Sequence, residues 1–144
     1  MARYVTTVRT QRPAAEAFAY MADLRHVAEW DPGVKKVVQV KGDGAGAGAE
    51  FDVTVTGTTL RYVTEVYQPS AELVVVAKSR TLTSTDRVTV TADGDSTLVT
   101  YDALLELNGV LRIADPVLRL AFGRIGDRAA AGLRRVLDGH DVPR

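Results

Sequence analysis

The alternation of apolar and polar positions changes its period three times along the chain. Tyr4 to Thr10 is rich in threonine and valine and runs up to Gln11-Arg12-Pro13, which predicts a strand ended by a proline. Over Ala14 to Ala22 the spacing becomes helical, with Phe18, Met21 and Ala22 recurring on one face and Pro13 suited to the first helical position. Asp23 is placed to cap a second short helix, Leu24 to Glu29, which Trp30-Asp31-Pro32-Gly33 ends. From Val34 to Leu107 the pattern is that of strands again. Six are expected, at Val34 to Val40, Glu50 to Thr56, Thr59 to Tyr67, Leu73 to Ser79, Leu82 to Thr91 and Thr97 to Leu107. Gly57-Thr58, Pro69-Ser70 and Asp93-Gly94 supply reversals between them, so strands adjacent in sequence should pair as an antiparallel meander. Thr59 to Tyr67 reads in either phase: Leu60, Tyr62 and Val66 lie on one alternation, Val63 and Tyr67 on the other.

The last element is a long amphipathic helix. Asp115 caps it, Pro116 opens it, and Leu118, Phe122, Ile125, Ala129, Leu133 and Val136 form its apolar stripe as far as about Asp138. At 1.5 Å per residue it is a rod of roughly 36 Å, long enough to cross a sheet. Gly123, Gly126 and Gly132 interrupt it, each at a cost of about 1 kcal/mol relative to alanine. Something beside the helix needs the room: a sheet packed close, or a ligand.

Composition narrows the function classes. A chain of 144 residues suits one domain, taken here as 1–144. Eighteen basic residues balance eighteen acidic ones, so the electrostatic footprint of a nucleic-acid binder is missing. The absence of cysteine removes disulfides, thiolate catalysis and the usual zinc sites, and is compatible with a reducing cytoplasm. Without an apolar signal-peptide core or a membrane-length apolar run, the expectation is a soluble, cytoplasmic protein with no stable membrane insertion.

The order strand, two short helices, six-strand meander and long terminal helix is similar to the helix-grip fold of the START-like or SRPBCC superfamily. Pro13-Ala14-Ala15-Glu16-Ala17-Phe18, Met21-Ala22-Asp23 and Glu29-Trp30-Asp31-Pro32 resemble its opening segment, and Leu107-Asn108-Gly109 through Arg135-Val136-Leu137 its closing one. The branch most resembled is the polyketide cyclase/dehydrase and lipid-transport group. The resemblance implies an α+β fold, a seven-stranded curved antiparallel sheet wrapped around the C-terminal helix, with two short helices between strands 1 and 2. It also implies a cavity between sheet and helix for lipids, polyketides or other apolar molecules. The expected ligand-binding residues are Trp30, Phe51, Val53, Tyr62, Val99, Tyr101, Leu118, Phe122, Ile125 and Gly126. The same residues would also build a dry, filled core.

The remaining chemistry is sparse. Gly42-Asp43-Gly44-Ala45-Gly46-Ala47-Gly48 leads into a strand and lacks a Lys-Ser/Thr pair, so it reads as a connection or cavity entrance and not as a phosphate loop. His26 and His140 have no partner ligand at helical spacing, and no metal or cofactor is expected. The serines lack a nucleophile-elbow sequence, which argues against a Ser-His-Asp triad. Among the polar strand residues, Asp52, Glu65, Arg80, Asp86, Arg87 and Tyr101, the catalytic candidates are Tyr101, in phase with Val99 and Ala103, and then Arg80 and Asp86. Helix arginines interspersed with Asp115, Asp127 and Asp138 read as a solvated face. Three functions follow: carriage of a small hydrophobic molecule, a cyclase/aromatase/dehydrase-type enzyme using the same cavity, or an accessory module with a vestigial cavity. A small hydrophobic ligand is the expected partner, nucleic acid is not, and a homodimer is left open.

Overall fold

The computed structural model describes residues 1–108, 115–138 and 140–141, except the side chains of Asp115, Leu118, His140 and Asp141. The cap expected at Asp115 and the ligand contact expected at Leu118 therefore lie outside the described residues. The elements are β1 (Ala2–Thr10), α1 (Ala14–Ala22), a 3-10 turn (Leu24–His26), α2 (Val27–Trp30), β2 (Val34–Lys41), β3 (Glu50–Val55), β4 (Thr58–Gln68), β5 (Glu72–Lys78), β6 (Leu82–Asp93), β7 (Ser96–Leu107), α3 (Asp115–Leu137) and β8 (His140–Asp141). All strands join one sheet in the order β2-β3-β4-β5-β6-β7-β1-β8, each pair antiparallel. The seven expected strands form the meander, with β1 returning beside β7, and the two-residue β8 is an addition on the far side of β1.

Local chemistry explains the boundaries. Pro13 stands one position before α1 and its carbonyl accepts from Ala17 N–H. Asp23 Oδ1 accepts from Arg25 N–H at 3.1 Å, and that cap opens a 3-10 turn separate from α2, where the sequence predicts a single short helix. The β3–β4 hairpin turns at Thr56-Gly57, one residue earlier than expected, because Gly57 takes φ +82°.

The two phases of β4 are both used. Thr64 pairs with Val75 and Val66 with Val74, so Glu65 is an extra, exposed residue at a bulge. Before it, Leu60, Tyr62 and Thr64 share the inner face. After it, Tyr67 does, packing its ring 5.6 Å from Phe18.

The core lies between the concave face of the sheet and the helices. Phe51, Leu73, Val75 and Val99 meet Phe18, Met21 and Trp30, while Leu133 and Leu137 seal the C-terminal half of α3 onto β1 and α2. Two of the three helix glycines are explained here. A Cβ on Gly132 would overlap the Trp30 carbonyl, and one on Gly126 would overlap the Tyr4 ring. Around Gly123 there is open space. Among the described residues no helix is long and apolar enough to cross a membrane.

Candidate functional site

Where the C-terminal half of α3 is pressed down, the core is filled; farther toward the helix N-terminus, it opens into a cavity of about 530 Å³. Its walls are built by period-two alternation on the strands: Val53 and Val55 from β3, Leu60 and Tyr62 from β4, Leu73 and Val75 from β5. Ser84, Asp86 and Val88 come from β6, and Tyr101, Ala103 and Leu105 from β7. Met21, Leu24, Val27 and Trp30 close one end, and Phe122 and Ile125 of α3 form the roof. The solvent-exposed lining residues Pro32, Gly33, Thr56, Thr58, Ile125 and Arg128 mark its mouth. A smaller void of about 40 Å³ continues past Trp30 and Tyr101 to Tyr4, Gly126 and Leu133.

The expected contact residues therefore divide. Trp30, Val53, Tyr62, Tyr101, Phe122 and Ile125 face the main cavity, and Gly126 faces only the small void, against the Tyr4 ring. Phe51 and Val99 are in the inward phase but are wholly buried in the filled part of the core. Arg80 is not a cavity residue: it sits exposed in the β5–β6 turn, where its carbonyl and that of Ser79 face the Asn108 side chain. Asp52 and Arg87 point outward and pair with Arg61 and Glu72. The glycine-rich segment before β3 supplies no lining residue; the Gln39 side chain holds it by donating to the Gly44 carbonyl and accepting from the Gly44 N–H, both at 2.9 Å. His26 stacks on Tyr20 at 4.4 Å and its Nδ1 lies 2.9 Å from the Tyr20 carbonyl. Among the described residues no group of side chains could hold a metal ion.

Two residues of the cavity are not among the expected site residues: Ser84, although it alternates in phase with Asp86 and Val88, and Asp31, which belongs to a helix stop and to the segment Glu29-Trp30-Asp31-Pro32. In the structure Ser84 shares a 2.7 Å hydrogen bond with Tyr62, and Asp31 accepts from Gly33 N–H at 2.9 Å.

The polar end of the cavity centres on Asp86. The Tyr101 hydroxyl donates to its Oδ2 at 2.8 Å, and Trp30 meets the Tyr101 ring edge-on at 5.3 Å. Burial pushes the Asp86 carboxyl up to about 7; Asp31 and Asp102 add to the rise, and the Tyr101 hydrogen bond opposes it. Asp31 is also raised, chiefly by burial. Burial next to Asp86 raises Tyr101, and Tyr62 is raised by burial with a smaller effect from Asp86. The arrangement can accept a hydrogen bond or a proton at one point of an otherwise apolar chamber, at neutral pH.

The sequence matches the family described as polyketide cyclase / dehydrase and lipid transport over residues 1–138. The chain belongs to that family. A START superfamily protein from Mycobacterium smegmatis has the same fold, at TM-score 0.70 and 19% identity, with 96% of this chain and 98% of that one covered. The di-domain ARO/CYC protein StfQ of the steffimycin biosynthetic pathway is similar at TM-score 0.72 and 16% identity. That likeness covers 94% of this chain and 49% of StfQ, so the chain spans about half its length. Major latex-like protein 151 of Panax ginseng aligns at TM-score 0.62 and 13% identity, covering 89% and 93% of the two chains. A comparison with curated proteins finds no match. At these identities the structures establish the START-like helix-grip fold of this family member.

Proposed function

We propose that this family member binds and carries a small hydrophobic molecule in the cavity between sheet and α3. The observation that supports it is the cavity itself: about 530 Å³, within the range of small-molecule sites, apolar on most of its wall and with the hydrogen-bonded pairs Tyr101–Asp86 and Tyr62–Ser84 inside it. A chamber of that size inside a family member of this length is space that close packing would otherwise remove. Trp30, the single tryptophan, lines it and reports on it. Titration with a panel of fatty alcohols and aromatic polyketides should change Trp30 fluorescence saturably. Val75→Phe, which places a ring in the chamber, should abolish the change. Identical titrations of the two proteins, or no change across the panel, would refute carriage.

The hydrogen bond between Tyr101 and Asp86 supports a second reading, a cyclase- or dehydrase-type enzyme. A carboxyl near 7 is matched to proton transfer at neutral pH, and the surrounding walls would fold and orient a reactive chain. On that reading Tyr101→Phe lowers turnover with little change in ligand affinity; unchanged turnover removes Tyr101 from the chemistry.

A further inference from the structure

The carboxylates of the sheet fall into two sets. Of those turned away from the cavity, five are paired with a cation, Asp102 with Arg3, Asp93 with Arg9, Asp52 with Arg61, Glu72 with Arg87 and Glu50 with Lys41, while Glu65 and Glu106 are exposed to solvent. The two carboxylates that line the cavity, Asp31 and Asp86, form no ion pair among the described residues. Their polar contacts are the Gly33 N–H and the Tyr101 hydroxyl. A carboxylate held away from water is costly unless paired, and here Asp31 adds to the rise that burial imposes on Asp86. Arg128, the one cationic side chain among the lining residues, is exposed at the mouth and pairs with neither. Asp86 is met in the cavity by Tyr101 from β7, Tyr62 from β4 and Asp31 after α2, with Asp102 acting from the other face of the sheet; only the Tyr101 hydroxyl donates to it, and none of these groups carries a positive charge.

Trp30, Tyr62 and Tyr101 line the same cavity, and aromatic rings attract a cation. Resting on the carrier reading above, we propose that the cavity selects hydrophobic molecules bearing a protonated amine, seated between Asp86 and these rings with the apolar part against β3, β5 and α3. A carboxylate or phosphate headgroup is repelled from the same position.

The test compares decylamine, decanol and decanoate, each below its micelle-forming concentration, by Trp30 fluorescence. Decylamine should bind at least tenfold more tightly than decanoate, with decanol between. Decylamine affinity should also rise about tenfold from pH 6 to pH 8 as Asp86 ionises, while decanol affinity stays level. Asp86→Asn should make the amine and alcohol affinities converge; Asp31→Asn should narrow their ratio less. Equal binding of all three by the wild-type protein overturns the amine preference and leaves carriage standing. If none of the three binds, both fall.

Discussion

At neutral pH the Asp86 carboxyl is divided between its protonation states, because burial raises it to about 7 from an ordinary value of 3.8. Between those values the folded protein holds a proton that the unfolded chain has released. This group's contribution to stability therefore falls as pH rises from about 4 to 7, and is level above that. An asparagine at the position keeps an acceptor for the Tyr101 hydroxyl and has no charge to desolvate. Asp86→Asn should thus melt higher than wild type at pH 8, with the difference closing toward pH 4.5 in thermal denaturation. A difference of constant size over that range would show that the carboxyl does not titrate in this environment. The ion-paired Asp23 and Asp52, both held low by arginine, do not disturb the comparison because they ionise below the window and are common to both proteins.

Element by element, α3 shows one residue type in different local settings. Gly132 lies against the Trp30 carbonyl, a backbone atom fixed by α2, so there a methyl group has nowhere to go. Gly123 has open space and bears only the helix-propensity cost of glycine. Gly132→Ala should destabilise by about 2 kcal/mol or more, and Gly123→Ala should stabilise by about 1 kcal/mol, read as shifts of the urea midpoint at constant m-value. The reverse order would mean that α3 sits elsewhere on the sheet. That three glycines needed an explanation was legible in the sequence; which neighbour explained each was not, since Tyr4 and Trp30 reach the helix only through the tertiary fold. The strands tell the same story. Valine and threonine alternation placed every strand of the meander to within a few residues, yet β4 looked ambiguous because the bulge at Glu65 changes its phase midway. Alternation also identifies a face without saying how far along the sheet the filled core gives way to a cavity. For that reason Val53 and Tyr62 border the chamber, while Phe51 and Val99, on the same inner face, are buried in the packed end.

For the whole molecule, the division of α3 into a bound half and a roofing half governs how a ligand enters. From Gly126 onward the helix is anchored by buried Ala129, Ala130, Leu133 and Leu137, and its last carbonyls accept from the Thr10 hydroxyl and the Arg12 guanidinium. Arg135 adds a bond to the Glu29 carbonyl, and Tyr4 one to Asp127. Before Gly126, Val117 is 72% and Leu120 66% exposed, and Phe122 and Ile125 face the chamber in place of a packed wall. Local opening free energy follows such differences in burial and anchoring. Amide hydrogen exchange should therefore be faster over residues 116–125 than over 126–137. A bound hydrophobic molecule, by filling the space under Phe122 and Ile125, should slow the first half several-fold and leave the second almost unchanged, because its protection already comes from protein contacts. Uniform protection along α3 without ligand would place the route into the cavity at the Pro32 and Thr56 side of the mouth, away from the helix. Slowing confined to the first half would identify α3 as the element whose local opening admits the ligand, hinged where Gly123 leaves the helix backbone least constrained.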